Sequence, residues 1–201
     1  MLRDRVEDTS QRGAAAVAAA QAEVTLILRV AAHDLRAFEE LYRTYHVRLT
    51  RFLERLTRRR DAFVEELLND TMLVVWKRAD SYNGRSKVST WIFAIAYRKA
   101  LKALRGVDDA IEDHESEQHA SADPGPEQQL EQRQLRNVLG GALRELTPEH
   151  RAVIELTYFQ GAGYSEIAQI VGCPVDTVKT RMFHARRRLR ALLTGELGDW
   201  L

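Results

Sequence analysis

The sequence predicts an all-α protein built as two small helical domains. Three observations carry this. Apolar residues recur every three or four positions in each long segment, and no segment alternates with the period of two that a half-buried strand requires. Clusters of turn-forming residues, such as those from Asp80 to Lys87 and at Gly161-Ala162-Gly163, punctuate the periodic runs. Charge is segregated along the chain. Residues 33–105 carry 16 basic and 9 acidic groups, residues 106–131 carry nine acids and no Lys or Arg, and residues 132–195 carry 10 basic and 5 acidic groups. A formal total of +1 therefore hides two cationic bodies joined by an anionic strap.

Residues 1–22 are polar and then Ala-rich, and read as a frayed or loosely helical extension. The first body spans 23–105. From Val24 onward, Leu35, Phe38, Leu41, Tyr45, Leu49, Phe52 and Leu56 trace one helix, or a pair broken near His33–Asp34. Arg58-Arg59-Arg60-Asp61 reads as a turn. The next helix holds Val64, Leu67, Leu68, Thr71 and Val75 inward and Glu65, Glu66, Asn69 and Asp70 outward, ending near Ala79. Asp80 to Lys87 is a loop, because Asn83-Gly84 favours positive φ and the Ser and Asp side chains compete for backbone bonds. Ser89-Thr90 is a plausible cap for a third helix running to about Arg105. Its buried side is expected to hold Ile92, Ile95, Ala96, Ala100, Ala103 and Leu104, and its exposed side Tyr97, Arg98, Lys102 and Arg105.

Residues 106–130, with Asp-Pro-Gly-Pro at 123–126, have the composition of a flexible linker. His114 and His119 lie there among carboxylates, but their spacing matches no usual ligand motif, so no metal site is expected. The second body spans 131–195, before a tail at 196–201. Leu135, Val138, Leu139, Ala142, Leu143 and Leu146 form its first stripe. Thr147-Pro148-Glu149 then gives a cap, a first-turn proline and an acid at the positive end of the helix dipole. Gly161 and Gly163 suit a C-cap.

Tyr164 to Leu193 reads as two helices crossed at a tight turn, with Gly195 closing the second. Ala168 gives a small residue at the crossing, Gly172 tolerates positive φ, and Val178 anchors the second helix. Ile167, Val171, Val178, Met182, Ala185, Leu189 and Leu192 make the buried stripe. Thr180, His184 and Arg187 lie opposite, flanked by Lys179, Arg181, Arg186 and Arg188. Such a helix suits a polyanionic duplex; the plainer alternative is a solvated basic face on an ordinary bundle helix.

The single cysteine, Cys173, excludes an intrachain disulfide, and at the helix-turn-helix corner it reads as packing. No run reaches the roughly 18 apolar residues of a membrane span, and Asp4, Glu7 and Asp8 spoil a signal-peptide start. The expected location is the cytoplasm.

Four stretches, in this order, resemble the extracytoplasmic-function (ECF) sigma factors, small members of the sigma-70 family that direct bacterial RNA polymerase to promoters. They are DLRAFEELYRTY at 34–45, DAFVEELLNDTMLVVWKRADSY at 61–82, STWIFAIAYRKALKALR at 89–105 and LRELTPEHRAVIELTYFQGAGYSEIAQIVGCPVDTVKTRMFHARRRLR at 143–190. The resemblance implies that the first body is sigma region 2 and the second sigma region 4. It implies core-polymerase binding by the helix at 61–82, which docks on the clamp coiled coil of the largest subunit, with Asp61, Glu65, Glu66, Asn69 and Asp70 as candidates. The polymerase flap is a further expected partner. An acidic face within a basic domain fits a protein partner better than DNA.

For the −10 promoter element the candidates are loop residues Tyr82, Asn83, Arg85, Ser86 and Lys87, with Trp91, Tyr97, Arg98, Lys102 and Arg105 from the helix that follows. Trp91 fits stacking on DNA and core packing equally. For the −35 element, Thr177, Thr180, Arg181 and His184 are candidate base readers, and Lys179, Arg186, Arg187 and Arg188 candidate phosphate contacts. At Pro174–Asp176 the chain departs from the Ser, Glu or similar polar residue usual in the family. Pro174 pre-forms the helix start, and Asp176 would repel a phosphate.

An anti-sigma factor is a further partner that the family implies. A stand-alone helix-turn-helix regulator binding DNA as a homodimer is the alternative, although it leaves the acidic 61–82 face unused. An enzyme is not expected, because the sequence has no nucleophile motif and its His and acidic residues concentrate in the linker. No catalytic residue and no cofactor is expected.

Overall fold

The computed structural model describes residues 2–59, 62–108 and 138–196, and every regular element among them is helical. Helix α1 spans Leu2–Ala31, α2 Leu35–Thr57, α3 Ala62–Arg78 and α4 Val88–Asp108. A short α5 at 138–144 leads into α6, Pro148–Tyr158, then α7, Tyr164–Val171, and α8, Val175–Glu196. The linker from 109 to 130 with His114 and His119, Asp61, Leu135 and residues 197–201 of the tail fall outside the described residues.

The break between α1 and α2 has a local cause. His33 takes a left-handed φ of 61°. Asp34 then caps α2, its carboxylate accepting from the Ala37 N–H at 3.1 Å and from Arg29 at 2.7 Å. Arg29 is the main reason the Asp34 carboxyl is held below its usual range, with the Ala37 bond adding to it. Leu35, expected inside, is exposed, because the position after the cap points away from the stripe that Ala37 and Leu41 begin. At the other end, Arg58 takes a φ of 61° and returns its N–H to the Glu54 carbonyl, which closes α2.

Around α2, helices α1, α3 and α4 pack as one bundle whose centre holds Tyr45, Leu49, Phe52, Leu68 and Phe93. Phe52 and Phe93 meet edge-on at 5.1 Å between ring centres. Tyr45 donates its hydroxyl to Glu23 at 2.9 Å, tying α1 to α2. Helix α4 starts at Val88, one residue before the expected cap, and Thr90 is buried. It also runs past Arg105 to Asp108.

In the second body, Thr147 caps α6 through the His150 N–H, with Pro148 in the first turn. Gly161 takes a φ of 65°, but Gly163 starts α7 rather than ending α6, its N–H bonded to the Glu166 carboxylate at 2.9 Å. Gly172, at a φ of 70°, makes the helix-turn-helix corner, where Ile167 and Ile170 meet Val178, Met182 and Ala185. Leu139 is exposed, and Gly195 lies within α8 rather than closing it.

The two bodies are not held apart. Helix α6 packs on α2 and α7 packs on α4, so one continuous core runs from Leu26 to Ala185.

Candidate nucleic-acid interface

Helix α8 buries Val178, Met182 and Ala185 against α6 and α7 and leaves Lys179, Thr180, His184, Arg186, Arg187 and Arg188 exposed. An apolar stripe on one side thus fixes a cationic stripe on the other. Several of these side chains are held in place. Asp176 pairs with Lys179 at 2.9 Å, and its carbonyl accepts from Thr180 at 2.9 Å. The lysine offsets the negative charge that Asp176 would otherwise turn toward a phosphate. His184 lies against Phe183 and His150, Arg186 over the Tyr158 ring at 5.7 Å, and Arg188 near Glu145 at 3.8 Å. Thr177 and Arg181 are half-buried. Arg181 reaches back to Cys173.

The loop from Tyr82 to Lys87 divides by burial. The Tyr82 ring is buried, its hydroxyl donating to the Ser86 carbonyl at 2.6 Å, so neither ring nor hydroxyl is free to take a base. Asn83 folds back to accept from the Arg85 N–H at 3.1 Å, with Gly84 at a φ of 71° completing the turn. That leaves Asn83, Arg85 and Lys87 exposed and Ser86 partly so.

Tyr97 is the clearest departure from the sequence expectation. It is 2% exposed rather than on an open stacking face, because α7 packs over this side of α4. Burial pushes its hydroxyl up, opposed by Arg181. Trp91, half-buried, meets Tyr82 edge-on at 5.9 Å and lines a surface cleft.

That cleft, about 280 Å³, lies between the end of α3 and the outer side of α4. Its walls are apolar at Val74, Trp91 and Ile95, and its rim is cationic at Arg78, Arg98, Lys99 and Lys102. Arg105 lies exposed farther along α4. Arg78 and Lys99 were missed from the sequence. The signal available was the spacing of Lys99 to Lys102 on one helical face and the Lys77-Arg78 pair at the mouth of the loop.

On α3 the acidic face is present. Glu65 and Glu66 are exposed, Asn69 accepts from Tyr42 at 3.1 Å, and Asp70 pairs with Lys99 at 2.6 Å. His46 approaches Glu65 at 3.8 Å. No helix among the described residues is long and apolar enough to cross a membrane.

Between the bodies, Lys87 pairs with Glu166 at 2.7 Å. Partial burial pushes that carboxyl up, but Lys87 and the Gly163 N–H outweigh it and leave it below its usual range. Arg151, 2% exposed, directs all five of its N–H donors at carbonyls. They belong to Arg55 and Leu56 at the end of α2, and to Leu143, Arg144 and Leu146 at and just beyond the end of α5. The last carbonyls of a helix have no partner within it and carry the negative end of its dipole, so one guanidinium satisfies two helix ends at once. Burial pulls Arg151 down to about 10, which leaves it charged at neutral pH.

Known proteins match both halves. Residues 41–109 match the family described as Sigma-70 region 2, and residues 136–189 that described as Sigma-70, region 4. The chain is 30% identical over 178 residues to the ECF RNA polymerase sigma factor SigK of Mycolicibacterium vanbaalenii, covering 86% of this chain and 90% of that one. It is 27% identical over 174 residues to the ECF RNA polymerase sigma-E factor of Haemophilus influenzae, covering 82% and 91%. Among solved structures it is similar to the sigma factor RpoE of Bartonella quintana in complex with the anti-sigma factor NepR. There the TM-score is 0.62 at 26% identity, over 80% of this chain and 98% of that one. CnrH, solved with the cytosolic domain of CnrY, shares the fold with a TM-score of 0.63 at 24% identity, over 87% and 98%. With both regions matched in order and relatives aligned over nearly their whole length, the chain belongs to the ECF RNA polymerase sigma factors of the sigma-70 family.

Proposed function

We propose that this sigma factor reads a promoter at two places and helps to open it, with region 2 spanning residues 23–105 and region 4 residues 131–195. The observation that carries the reading is α8. It is a helix pinned by Val178, Met182 and Ala185 whose opposite side presents Lys179, Thr180, His184, Arg186, Arg187 and Arg188 to solvent. Thr177, Thr180, Arg181 and His184 read base edges of the −35 duplex, and the Lys and Arg residues around them position the helix on phosphates.

The −10 element falls to Asn83, Arg85, Ser86 and Lys87 of the loop and to the cleft rimmed by Arg78, Arg98, Lys99 and Lys102. Extruding a base costs a few kcal/mol. Capture of that base, with stacking on Trp91 and a cationic groove for the strand, offsets the cost without ATP. Glu65, Glu66, Asn69 and Asp70 dock α3 on the polymerase clamp, and region 4 also meets the flap. An anti-sigma factor holds the protein inactive, as supported by the similarity to RpoE, a sigma factor solved with its anti-sigma partner.

The test is run-off transcription by core polymerase with the purified protein on a promoter library, with the transcribed members sequenced. The expected products share one sequence upstream at −35 and another at −10. No initiation on any template, together with footprinting of a symmetric operator by the protein alone, would replace this reading with a homodimeric regulator.

A further inference from the structure

His184 is the odd member of the stripe on α8. Lysine and arginine, as at Lys179, Arg186, Arg187 and Arg188, carry their charge throughout the neutral range, whereas an imidazole gains or loses it between about pH 5 and pH 8. His184 is exposed on the face proposed to read the −35 duplex, and it has two ring neighbours. Phe183, itself 62% exposed, meets it edge-on at 5.4 Å, and His150 of α6 lies at 6.3 Å.

His150, which the promoter reading does not use, is half-buried in the first turn of α6. Two imidazoles this close do not both take a proton readily, because like charges oppose one another. Burial is the main reason His150 is held below the ordinary histidine range. His184 and Arg181 add to it, and Glu149 opposes. Of the two rings, the exposed one is the better placed to be charged. Other charges on the packed helices have partners of their own. On α8, Lys179 pairs with Asp176 and Arg188 turns to Glu145. Glu166 of α7 pairs with Lys87, and Glu155 of α6 with Arg55 of α2. From α4, Tyr97 offers only a buried hydroxyl, which burial keeps protonated.

We infer that the His150–His184 contact makes the grip on the −35 duplex proton-linked: His184 meets the duplex as an imidazolium, taking up one proton from solvent as it binds, and His150 is the positioning residue that leaves that proton to it. A protonated ring presents two N–H donors and no acceptor, which suits phosphate oxygens and the two major-groove acceptors of guanine. A neutral ring has one donor and brings no charge. Mild acidification thus strengthens promoter engagement through one side chain of the stripe.

This linkage rests on the promoter-reading role proposed above, and the test separates the two. Binding of a labelled −35 duplex by the full chain is followed by fluorescence anisotropy between pH 8 and pH 6 at fixed salt. Wild type is expected to tighten by about tenfold toward pH 6, since a charge-assisted hydrogen bond is roughly twice as strong as a neutral one. One further neutralised phosphate also steepens the dependence of log affinity on log salt by about 0.9 at the acid end. His184→Gln is expected to stay near the alkaline limit and lose both effects, and His184→Arg to hold the steep salt dependence at both ends. These comparisons cancel any contribution from His33, His46, His114 and His119.

His150 is tested by fixed charge. His150→Lys is expected to move the wild-type transition to lower pH and His150→Glu to higher pH, a pair of opposite shifts that a merely structural role would not produce. Superimposable pH profiles for wild type and His184→Gln would overturn the linkage, and a transition unmoved by both His150 variants would remove His150 from it. If wild type bound the duplex at no pH, the promoter reading itself would fail, and the linkage with it.

Discussion

Arg55 and Glu155, a hundred residues apart, meet at 3.0 Å across the boundary between the two bodies. The carboxylate is 1% exposed, and its second oxygen has no hydrogen-bond partner among the described residues. Burial pushes the carboxyl up, and Arg55, then Arg151, oppose it. The charged groups facing it are Arg55 and Arg151, with Arg58 close to the latter. A carboxyl raised in the folded state holds its proton more readily than when unfolded. Its contribution to stability is therefore largest at low pH and declines as pH rises from the unfolded value through the folded one. Asp34 and Glu166, lowered in the folded state, run the other way. The comparison of wild type with Glu155→Gln isolates the one group. Between about pH 5 and pH 7.5 the melting temperature of the Gln variant is expected to gain on that of wild type. A constant difference across the range would contradict the raised carboxyl.

Arg151→Lys is expected to cost about 3 kcal/mol although it conserves charge. An ammonium has three donors and no planar fork, so it leaves carbonyls of α2 or α5 buried without partners, at about 1–3 kcal/mol each. Denaturant unfolding measures this. A loss below about 0.5 kcal/mol would mean that water satisfies those helix ends.

Gly172→Ala tests the corner of the helix-turn-helix. An added Cβ meets nothing within 4 Å, so the only penalty is the left-handed backbone at a φ of 70°. About 1 kcal/mol of destabilisation is expected. A much larger loss, seen in thermal unfolding, would point to a steric conflict that the open space at Gly172 does not contain.

The helices were legible because each needs one buried stripe, and Leu41, Tyr45, Leu49, Phe52 and Leu56 repeat at the helical period. Thr147-Pro148-Glu149 was legible because capping is local chemistry. What the sequence obscured was the second covering of a face already counted as outside. Tyr97 lies on the outer side of α4 within its own bundle, and only α7, some seventy residues on, makes it core. Arg151 and Glu155 are likewise buried only where α6 meets the end of α2. A signal was present: Ala152, Val153, Ile154 and Leu156 make α6 apolar on more than one side, which is the pattern of a helix buried on two faces. The cationic stripe of α8 was readable because, among the described residues, Lys179, Thr180, His184 and Arg186 to Arg188 stay exposed.

Glu66→Lys is expected to lower affinity for core polymerase while leaving −35 duplex binding unchanged. Glu66 is exposed on α3, outside the α8 face proposed to meet DNA, so its charge is expected to bear on the proposed polymerase contact. Competition for core polymerase against a labelled sigma factor gives the affinity. Equal losses in both assays would place the acidic face in folding rather than docking.

Arg181→Ala and Lys102→Ala separate the two proposed promoter contacts. A bidentate arginine on a base pair is worth about 1–3 kcal/mol of discrimination, so Arg181→Ala is expected to weaken −35 duplex binding by roughly tenfold or more. Lys102, exposed at the rim of the α4 cleft, is expected to matter at strand opening. A template already mismatched across −10 removes the cost of unpairing, so it should restore Lys102→Ala to near wild-type initiation and leave Arg181→Ala impaired. Equal rescue of both would remove the division of labour between the cleft and α8.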